Sequence, residues 1–324
     1  MPGLWTNFRC ISQQSHDADI KNSGLFILGK WAKHRAYWHI NNWGWNSSTD
    51  FSSTHNHKPL IAIIGDSYIE AFHVNLQKSM PAKIREMVGD KYEVYSFGVS
   101  GASLSDYLQM SRYANKYFKP DILVVNVVHN DFDESLCSVK RQEGLTCLEC
   151  NDAHLQEVPV PYHPSKIKRF LRNSSLLRYL VINLQIMDLI HNTKYKANIR
   201  GFNANIDVEA VNRRRKKIGF AVDYVVSRIA QEFSGKKIIF MMDAPRPDIY
   251  GNHLNESSVI WMNQLIESEC HKYAVNIIDL TYPFANDYRL HHHEFEFAND
   301  GHWNEYGHKI AAEALFQKLK EVAF

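Results

Sequence analysis

Five short runs of apolar residues are the feature of this sequence that most constrains its fold. Each run is nearly continuous in apolar residues and rich in β-branched and aromatic ones, a pattern typical of strands buried on both faces, as in a parallel sheet. Stretches with the helical spacing of apolar residues separate the runs, so strands and helices alternate. The five predicted strands are 59–65, 92–98, 121–128, 236–244 and 275–280.

Helices are predicted between and after these strands, at 81–88, 104–118, 211–233, 258–274 and 305–322. This alternation implies right-handed βαβ units, because neighbouring parallel strands need a crossover connection. The sequence therefore predicts an α/β protein, a three-layer α/β/α sandwich around a five-stranded, mainly parallel sheet.

Two segments do not follow the alternation. Residues 1–58 are rich in aromatic residues and Asn, and we expect an N-terminal extension that packs on a main domain of residues 59–324. Residues 132–208 form an excursion between the third and fourth predicted strands, which is too long for a structureless loop. Because 165–190 has helical spacing, we expect a helical insertion beside the functional site, where it shapes a substrate cleft or a partner surface.

Three tryptophans, Trp38, Trp43 and Trp45, lie near the end of the N-terminal segment. Indole rings suit stacking on sugar rings, but they also suit apolar packing. Packing of the segment onto the main domain is the preferred interpretation.

The charge balance excludes some classes of partner. The 324 residues are 45% hydrophobic and 22% charged, with a formal net charge of +2, as in an ordinary globular protein with no polyanionic partner. The one dense basic run, 213–217, lies in a predicted helix and is interpreted as a solvated helix face. No nucleic-acid partner is expected, because no aromatic platform or recognisable module accompanies the run.

Targeting signals are also missing from the sequence. No apolar run reaches the roughly 18 residues of a membrane span, and residues 1–22 lack the apolar core of a signal peptide. These features predict a cytoplasmic protein, or a periplasmic or secreted one if a native leader is missing from the given sequence.

The cysteines leave three alternatives open. Their number, 5, is odd, which argues against a complete disulfide framework. Cys137, Cys147 and Cys150 lie close together in the sequence. They suit a zinc site with His154 as the fourth ligand, one local disulfide, or free thiols.

Three predicted strands end in residues that suit catalysis. Ser67 follows the first strand, Gly101 the second and Asn130 the third. Because the carboxyl ends of parallel strands meet at one edge of the sheet, ligands collect there. A serine hydroxyl at such a turn is exposed, while a backbone N–H at Gly101 and the Asn130 amide suit the stabilisation of a developing negative charge.

Asp300 and His302 precede the last predicted helix. Residues two apart in an extended segment face the same way. The Asp300 carboxylate can therefore hold one ring nitrogen of His302 while the other nitrogen faces a hydroxyl, which is the logic of a hydrolytic triad.

Together these blocks resemble the SGNH (GDSL-type) hydrolase family from about residue 58 to the end, interrupted by the 132–208 excursion. The matching blocks are Gly65-Asp66-Ser67, Gly101 in VSGAS, Asn130 in HND, and Asp300-x-His302. The resemblance implies that Ser67 is the nucleophile, His302 its base and Asp300 the acid. It also implies an oxyanion hole made of the Ser67 and Gly101 N–H groups and the Asn130 amide, and a mechanism that needs no metal and no cofactor.

The chain also departs from the family pattern. Tyr68 stands where the GDSL name has Leu, and Val128 stands where the third block often has Gly. The acid–base pair is spaced D-x-H and followed by Trp303, whereas many members have D-x-x-H followed by Pro. This D-x-H-W form resembles branches associated with the acylation or deacylation of bacterial polysaccharides.

Two further groups of residues invite a functional interpretation. Asp243, Arg246 and Tyr250 follow the fourth strand and are candidate substrate-binding residues, with Arg246 contacting a carboxylate or sugar hydroxyls. The alternative is an Arg–Asp pair that ties down the loop. The run 291–293 contains three histidines, but adjacent histidines in a loop point in different directions, so no metal site is expected.

The preferred functional hypothesis is a serine esterase that removes a small acyl group, acetyl foremost, from a carbohydrate. The expected partner is then a small-molecule or oligosaccharide ester. One alternative is a saccharide O-acyltransferase that passes the same acyl-serine intermediate to a sugar hydroxyl. The other is a non-catalytic carbohydrate-binding protein, which the complete set of catalytic residue types disfavours.

Overall fold

The computed structural model describes residues 23–28, 34–151, 154–163, 202–203, 206–297 and 300–323. The strands are β1 Ser23–Leu28, β2 His34–His39, β3 Leu60–Gly65, β4 Glu93–Gly98, β5 Ile122–Val127, β6 Thr146–Asn151, β7 His154–Pro159, β8 Phe202–Asn203, β9 Ile206–Asp207, β10 Lys237–Met242, β11 Asn276–Asp279, β12 Glu296–Phe297 and β13 Asp300–Trp303. The α-helices are α1 Ser67–Glu70, α2 Met80–Val88, α3 Leu104–Phe118, α4 Asp131–Glu134, α5 Val208–Arg213, α6 Arg215–Glu232, α7 Arg246–Tyr250, α8 Ile260–Lys272, α9 Thr281–His291 and α10 Glu305–Val322. Short 3-10 helices occupy His55–His57, Leu76–Lys78, Gly89–Lys91 and Leu254–Glu256.

Five strands form the central sheet in the order β11-β10-β5-β3-β4. Every neighbouring pair in it is parallel. Each of these strands lies within its predicted run, so the predicted α/β sandwich is confirmed. Since β3 has β4 on one side and β5 on the other, the sheet is doubly wound about β3, and ligands bind at such a switch point.

Helices cover both faces of this sheet. One core joins the sheet to α3, α6 and α8, and a second core joins it to α2, α9 and α10. Because neighbouring residues of a strand point to opposite faces, Ala62 and Ile64 of β3 belong to the first core, whereas Ile61 and Ile63 belong to the second. Burial on both faces explains the continuous apolar runs in the sequence.

The five helices predicted between and after the strands are present, and one of them is interrupted. The predicted helix 211–233 is broken at Arg214, which ends α5 and precedes α6 with a non-helical backbone. Arg214 also pairs with Asp133 at 2.9 Å, while the rest of the basic run 213–217 is exposed, as a solvated face requires. Helix α9 and the short helices α1, α4 and α7 were not predicted. None of the helices in the described residues is both long and apolar enough to cross a membrane.

Residues 40–51 pack against α3 and β4 through aromatic rings. The Trp45 ring meets Phe97 edge to face at a centroid distance of 5.1 Å. The Trp43 ring lies 4.8 Å from that of Phe118, and its indole N–H donates to the Phe51 carbonyl at 2.9 Å. Trp45, only 3% exposed, has no surface left for a sugar ring.

The excursion after β5 contains, beyond α4, a β-hairpin that was not predicted. Strands β6 and β7 pair antiparallel, and a disulfide joins Cys137 to Cys147. Of the three alternatives for the cysteines, the structure therefore contains the local disulfide, which excludes zinc binding by this pair. Cys150 is not part of the bond. The predicted helix at 165–190 lies outside the described residues.

Candidate active site

Ser67 is the first residue of α1 and lies two residues after Gly65, the last residue of β3. Asp66 caps this short helix, because its Oδ1 accepts a hydrogen bond from the Tyr68 N–H at 2.9 Å. A side chain at Gly98 would block the turn, since its Cβ would lie 2.1 Å from the backbone nitrogen of Glu70. The glycine on the neighbouring strand thus allows α1 to sit close to the sheet with the Ser67 hydroxyl at its edge.

Ser67, His302 and Asp300 form a continuous chain of hydrogen bonds. The Ser67 Oγ lies 2.7 Å from His302 Nε2. On the other side of the ring, His302 Nδ1 contacts Asp300 Oδ1, and the His302 backbone N–H donates to the same oxygen at 3.0 Å. Both residues lie on β13, where the spacing of two brings their side chains to one side.

Two carboxylates, those of Asp300 and Asp66, lie next to these hydrogen bonds and differ in pKa. Burial raises the pKa of Asp300, but hydrogen bonds and the charge of His302 outweigh it and lower the pKa to about 2. Asp66 lies 3.3 Å from the Ser67 Oγ, and its burial raises its pKa to about 6 despite the Tyr68 N–H. Asp300 is therefore the carboxylate that stays ionised beside His302 over the wider range of pH.

His73 adds a residue that the sequence analysis missed. Its ring stacks on that of His302 at a centroid distance of 3.8 Å and an angle of 16°. Its Nε2 lies 3.7 Å from Asp300 Oδ2. Burial, then repulsion from His302, lowers the pKa of His73 to about 4, so at neutral pH an uncharged ring covers the acid–base pair.

Gly101 and Asn130 follow the two strands that flank β3. The register aligns Gly65 with Gly98 across β3 and β4, and Ile64 with Val125 across β3 and β5. The three strands therefore end at the same edge of the sheet. Gly101 lies just before α3 with a φ of 79°, a left-handed conformation that strongly favours glycine.

The turn that carries Asn130 is held in place by hydrogen bonds to the buried side chain of Asp131. Asp131, fully buried, accepts hydrogen bonds through Oδ2 from the Val128 N–H at 2.7 Å and from the Tyr107 hydroxyl at 2.7 Å. Burial raises the pKa of Asp131 well above its ordinary value. These contacts hold the turn while the Asn130 side chain stays partly exposed and donates to Glu134 Oε2 at 3.3 Å.

Arg246 is the centre of a buried network behind the site. Its Nη2 donates to Asp243 Oδ2 at 3.0 Å, to the Tyr68 hydroxyl at 2.8 Å and to the Gly301 carbonyl at 2.8 Å. Its Nη1 donates to Glu296 Oε2 at 2.7 Å. The guanidinium thus ties α1 to the segment that carries Asp300 and His302.

Asp243 and Tyr250 belong to the same network. Asp243 Oδ1 accepts from the Trp303 indole N–H at 2.9 Å, and the Tyr250 hydroxyl donates to Glu296 at 2.8 Å. Arg246 and Asp243 are only 4% and 1% exposed. The expected substrate contact by Asp243, Arg246 and Tyr250 is therefore not supported, because Arg246 and Asp243 are buried and bind each other and the Tyr250 hydroxyl binds Glu296 and the Phe295 N–H. The alternative, a pair that ties down the loop, fits the structure.

Potential metal ligands converge at one place among the described residues. The donor atoms of His73, Asp300 and His302 lie within 4.8 Å of one another. Both ring nitrogens of His302 already contact Asp300 and Ser67, so this convergence is accounted for by the hydrogen-bonded chain. The histidine run lies at the end of α9, where His291 pairs with Asp287 at 3.2 Å.

The fold and the match to a known family define the class of this protein. A family model described as GDSL-like lipase/acylhydrolase matches residues 61–315, most of the chain. The chain therefore belongs to the GDSL-like lipase/acylhydrolase family and is an SGNH-type hydrolase. The resemblance inferred from the sequence is confirmed.

Solved structures resemble the chain at low identity. An acetyl xylan esterase, AlAXEase, is 13% identical, covers 80% of this chain and 99% of its own, and has a TM-score of 0.45. A member of the lipolytic G-D-S-L family from Veillonella parvula is 9% identical, with coverages of 81% and 99% and a TM-score of 0.46. TesA is 10% identical, with coverages of 81% and 98% and a TM-score of 0.46. No curated protein matches the chain, so the family model carries the assignment.

Proposed function

We propose that the protein is a serine esterase that removes a small acyl group, acetyl foremost, from a carbohydrate. The single observation that carries the catalytic part is the chain of hydrogen bonds from Ser67 through His302 to Asp300. A nucleophile, a base and an orienting acid within hydrogen-bond reach are what acyl transfer through serine requires.

The proposed reaction starts with attack by the Ser67 Oγ on the ester carbonyl, while His302 Nε2 takes the hydroxyl proton. The Ser67 and Gly101 N–H groups and the Asn130 amide stabilise the oxyanion of the tetrahedral intermediate. His302 then gives its proton to the leaving alcohol, which leaves an acyl-serine. Water, deprotonated by His302, attacks this intermediate and releases the free acid and Ser67.

Asp300 acts in this proposal by holding the His302 ring and stabilising its protonated form. Its low pKa, about 2, supports the role, because the carboxylate is charged whenever His302 accepts a proton. The Arg246 network supports the same segment from behind through the Gly301 carbonyl.

The carbohydrate part of the proposal rests on the D-x-H-W block and on an aromatic surface beside the triad. The partly exposed Trp38 meets Phe72 edge to face at a centroid distance of 6.1 Å. Phe72 directly precedes His73, whose ring lies on His302. Through Phe72 and His73, the Trp38 indole is linked to the proposed base, and an aromatic ring there suits contact with the sugar that carries the acyl group.

The first test is turnover of a chromogenic acetyl ester by the wild-type protein and by Ser67→Ala. Ser227→Ala is a matched control, because that hydroxyl donates within its own helix, at 2.9 Å to the Tyr224 carbonyl. We expect turnover that Ser67→Ala abolishes and Ser227→Ala retains. Turnover unchanged in Ser67→Ala contradicts the proposal.

The second test uses acetylated oligosaccharides with products read by mass spectrometry. Release of free acetate supports hydrolysis, whereas acetyl transfer to an added sugar contradicts it in favour of the acyltransferase. Trp38→Ala should raise KM for the oligosaccharide and leave KM for the small ester unchanged. Tyr37→Ala, at a neighbouring aromatic that is 65% exposed and alternates to the other side of β2, should change neither.

The location of the protein is a further part of the proposal. The Cys137–Cys147 disulfide supports an oxidising compartment, because such bonds persist outside the cytosol and are rare within it. This favours the periplasmic or secreted location over the cytoplasmic one. Alkylation of thiols at the moment of cell lysis, followed by mass spectrometry, tests it: alkylated Cys137 and Cys147 contradict the oxidising location.

A further inference from the structure

One ion pair, Lys140–Glu134, connects two groups of the proposed oxyanion hole, the Gly101 turn and the Asn130 side chain. Lys140 Nζ donates to the Gly101 carbonyl at 2.9 Å and to Glu134 Oε2 at 2.5 Å. The Asn130 amide nitrogen donates to the same Glu134 oxygen at 3.3 Å. Gly101, on one strand end, and Asn130, on another, are thus connected through Lys140 and Glu134.

Glu134 determines which way the Asn130 amide faces. An ionised carboxylate only accepts hydrogen bonds, so it selects the NH₂ end of the amide rather than its oxygen. One hydrogen of that NH₂ group goes to Glu134 and the second stays available for a substrate oxygen. Without the carboxylate, the amide is free to turn its oxygen towards the developing negative charge.

Lys140 and its neighbour Gln142 hold the Gly101 turn from the other side. Lys140 holds the Gly101 carbonyl, and Gln142 Nε2 reaches the Ser100 carbonyl at 3.5 Å. In a trans peptide the C=O and N–H point in opposite directions. A contact on the Ser100 carbonyl therefore directs the Gly101 N–H away from Gln142. A Cβ at Gly101 would lie 2.6 Å from Gln142 Oε1, so the contact is tight.

The loop that carries these two side chains is closed covalently. Cys137 and Cys147 are joined with a sequence separation of 10, and both Lys140 and Gln142 lie between them. The Lys140 and Glu134 side chains are only 24% and 29% exposed, so the pair is partly shielded from water. A short closed loop restricts where the ammonium group can lie.

From these contacts we infer that Lys140 is a positioning residue for the oxyanion hole, acting through Gly101 and Glu134, and that the Cys137–Cys147 disulfide holds it in place. The inference rests on the proposed esterase function. Lys140 acts by fixing the orientation of the two donors, so its loss lowers turnover more than substrate binding.

The test compares Lys140→Met with Arg141→Met, a matched control in the same loop. The Arg141 side chain is 53% exposed and, among the described residues, pairs with Glu149 alone, at 3.5 Å. For Lys140→Met we expect kcat for the acetyl ester to fall by roughly 10- to 100-fold with KM little changed, since a displacement of about 1 Å in a reacting group costs on that order. Lys140→Arg should recover part of the loss, and Arg141→Met should behave as wild type. Equal kcat for the two Met variants overturns the inference.

A double-variant measurement separates positioning from general loosening of the fold. If Lys140 acts through Asn130 and Gly101, Lys140→Met costs less in an Asn130→Ala background than in the wild type, because coupled residues are not additive. Fully additive losses contradict the inference. If Lys140→Met does not fold, the isosteric Glu134→Gln serves in its place and should also lower kcat.

Reduction tests the part played by the disulfide. Dithiothreitol reduces the S–S bond to two thiols and is itself oxidised to its cyclic disulfide. We expect reduced wild-type protein to lose kcat towards the level of Lys140→Met, and reduced Lys140→Met to lose little more. The Cys137→Ser/Cys147→Ser variant, which has no such bond, should not respond to the reductant. Full activity of reduced wild type contradicts the role of the disulfide.

Labelling of Ser67 by a fluorophosphonate distinguishes failure of this inference from failure of the proposed function. Wild-type protein that neither hydrolyses the ester nor is labelled at Ser67 contradicts the esterase itself. If Lys140→Met is labelled at the same rate as the wild-type protein, the proposed esterase function stands and only the positioning role of Lys140 is overturned.

Discussion

The imidazole of His73 lies face to face with that of His302, with ring centroids 3.8 Å apart. His73 Nε2 also lies 3.7 Å from Asp300 Oδ2, so one uncharged ring covers the proposed base and faces the second oxygen of the proposed acid. A covered acid–base pair is less exposed to water, and in water-poor surroundings its hydrogen bond is stronger. His73 therefore acts as a positioning residue in the proposed mechanism.

We expect His73→Ala to lower kcat by roughly tenfold or more, because it opens the covered side of His302 and lets the ring move. His73→Phe keeps a flat ring of similar size and should lose less. Steady-state kinetics on a chromogenic acetyl ester measures both, with the exposed His253→Ala as a control. Equal losses in the Phe and Ala variants would show that the ring nitrogens matter more than the cover.

Replacement of Asp300 by Asn should lower kcat by roughly 10³- to 10⁴-fold, the scale seen when the acid of a triad loses its charge. The amide keeps the shape but favours the wrong tautomer of His302. Because the pKa of Asp300 is lowered to about 2, the wild-type carboxylate is charged at every pH above that. The acidic limb of the kcat–pH profile should therefore not come from Asp300, and a limb with a midpoint near 2 would contradict this.

Asn130→Ala should lower kcat by roughly 10²- to 10³-fold, as expected for the loss of one oxyanion donor. The substrate ground state gains little from this donor, so KM should change much less than kcat. Asn286→Ala on α9, where the Asn286 amide oxygen accepts from Arg289 at 3.2 Å, is the matched control. Normal turnover of Asn130→Ala would remove Asn130 from the oxyanion hole.

Arg246→Met should act on stability rather than on substrate binding. Arg246 is 4% exposed, and its loss leaves the buried Asp243 and the half-buried Glu296 without their cation, at a cost of about 3–5 kcal/mol. Urea unfolding followed by circular dichroism measures that loss. If the variant had normal stability but a raised KM, that result would instead support Arg246 as a substrate-binding residue, as the sequence suggested.

The sequence predicts the central sheet well because the physics of each strand is local. A strand buried on both faces must be apolar along its length, so 59–65 and 121–128 stand out without any knowledge of their neighbours. The residues proposed for catalysis stand out for a related reason. Strand ends converge at one edge of a parallel sheet, so Ser67, Gly101 and Asn130 could be grouped from their positions alone.

Residues whose roles depend on tertiary contacts could not be found in this way. His73 follows Ala71, whose left-handed backbone turns the chain at the end of α1, and no periodic pattern marks that turn. Lys140 meets Gly101 only because the disulfide and the β6–β7 hairpin bring the loop back. The position of Arg246 after β10 and a pairing with Asp243 could be read from the sequence, but its inward direction also depends on Glu296, which lies 50 residues away in the sequence.

His308 gives the folded protein a dependence on acid that can be measured. Burial, then repulsion from His73 and His302, lowers the pKa of His308 to about 3, and its Nδ1 accepts a hydrogen bond from the Met80 N–H at 3.2 Å. The unfolded chain takes up a proton below about pH 6.5, whereas the folded protein does so only near pH 3. Stability should therefore fall as the pH drops from about 6.5 towards 3, since the unfolded state binds more protons in that window.

His308→Gln removes this titration and keeps a side-chain oxygen that can accept from Met80. We expect the variant to be less stable than wild type at pH 7, where the neutral imidazole fits its site, and to lose less stability between pH 6.5 and 4. Urea unfolding at a series of pH values measures both slopes, with the exposed His271→Gln as the control. Equal slopes in wild type and His308→Gln would mean that other buried groups, His73 first among them, carry the acid sensitivity.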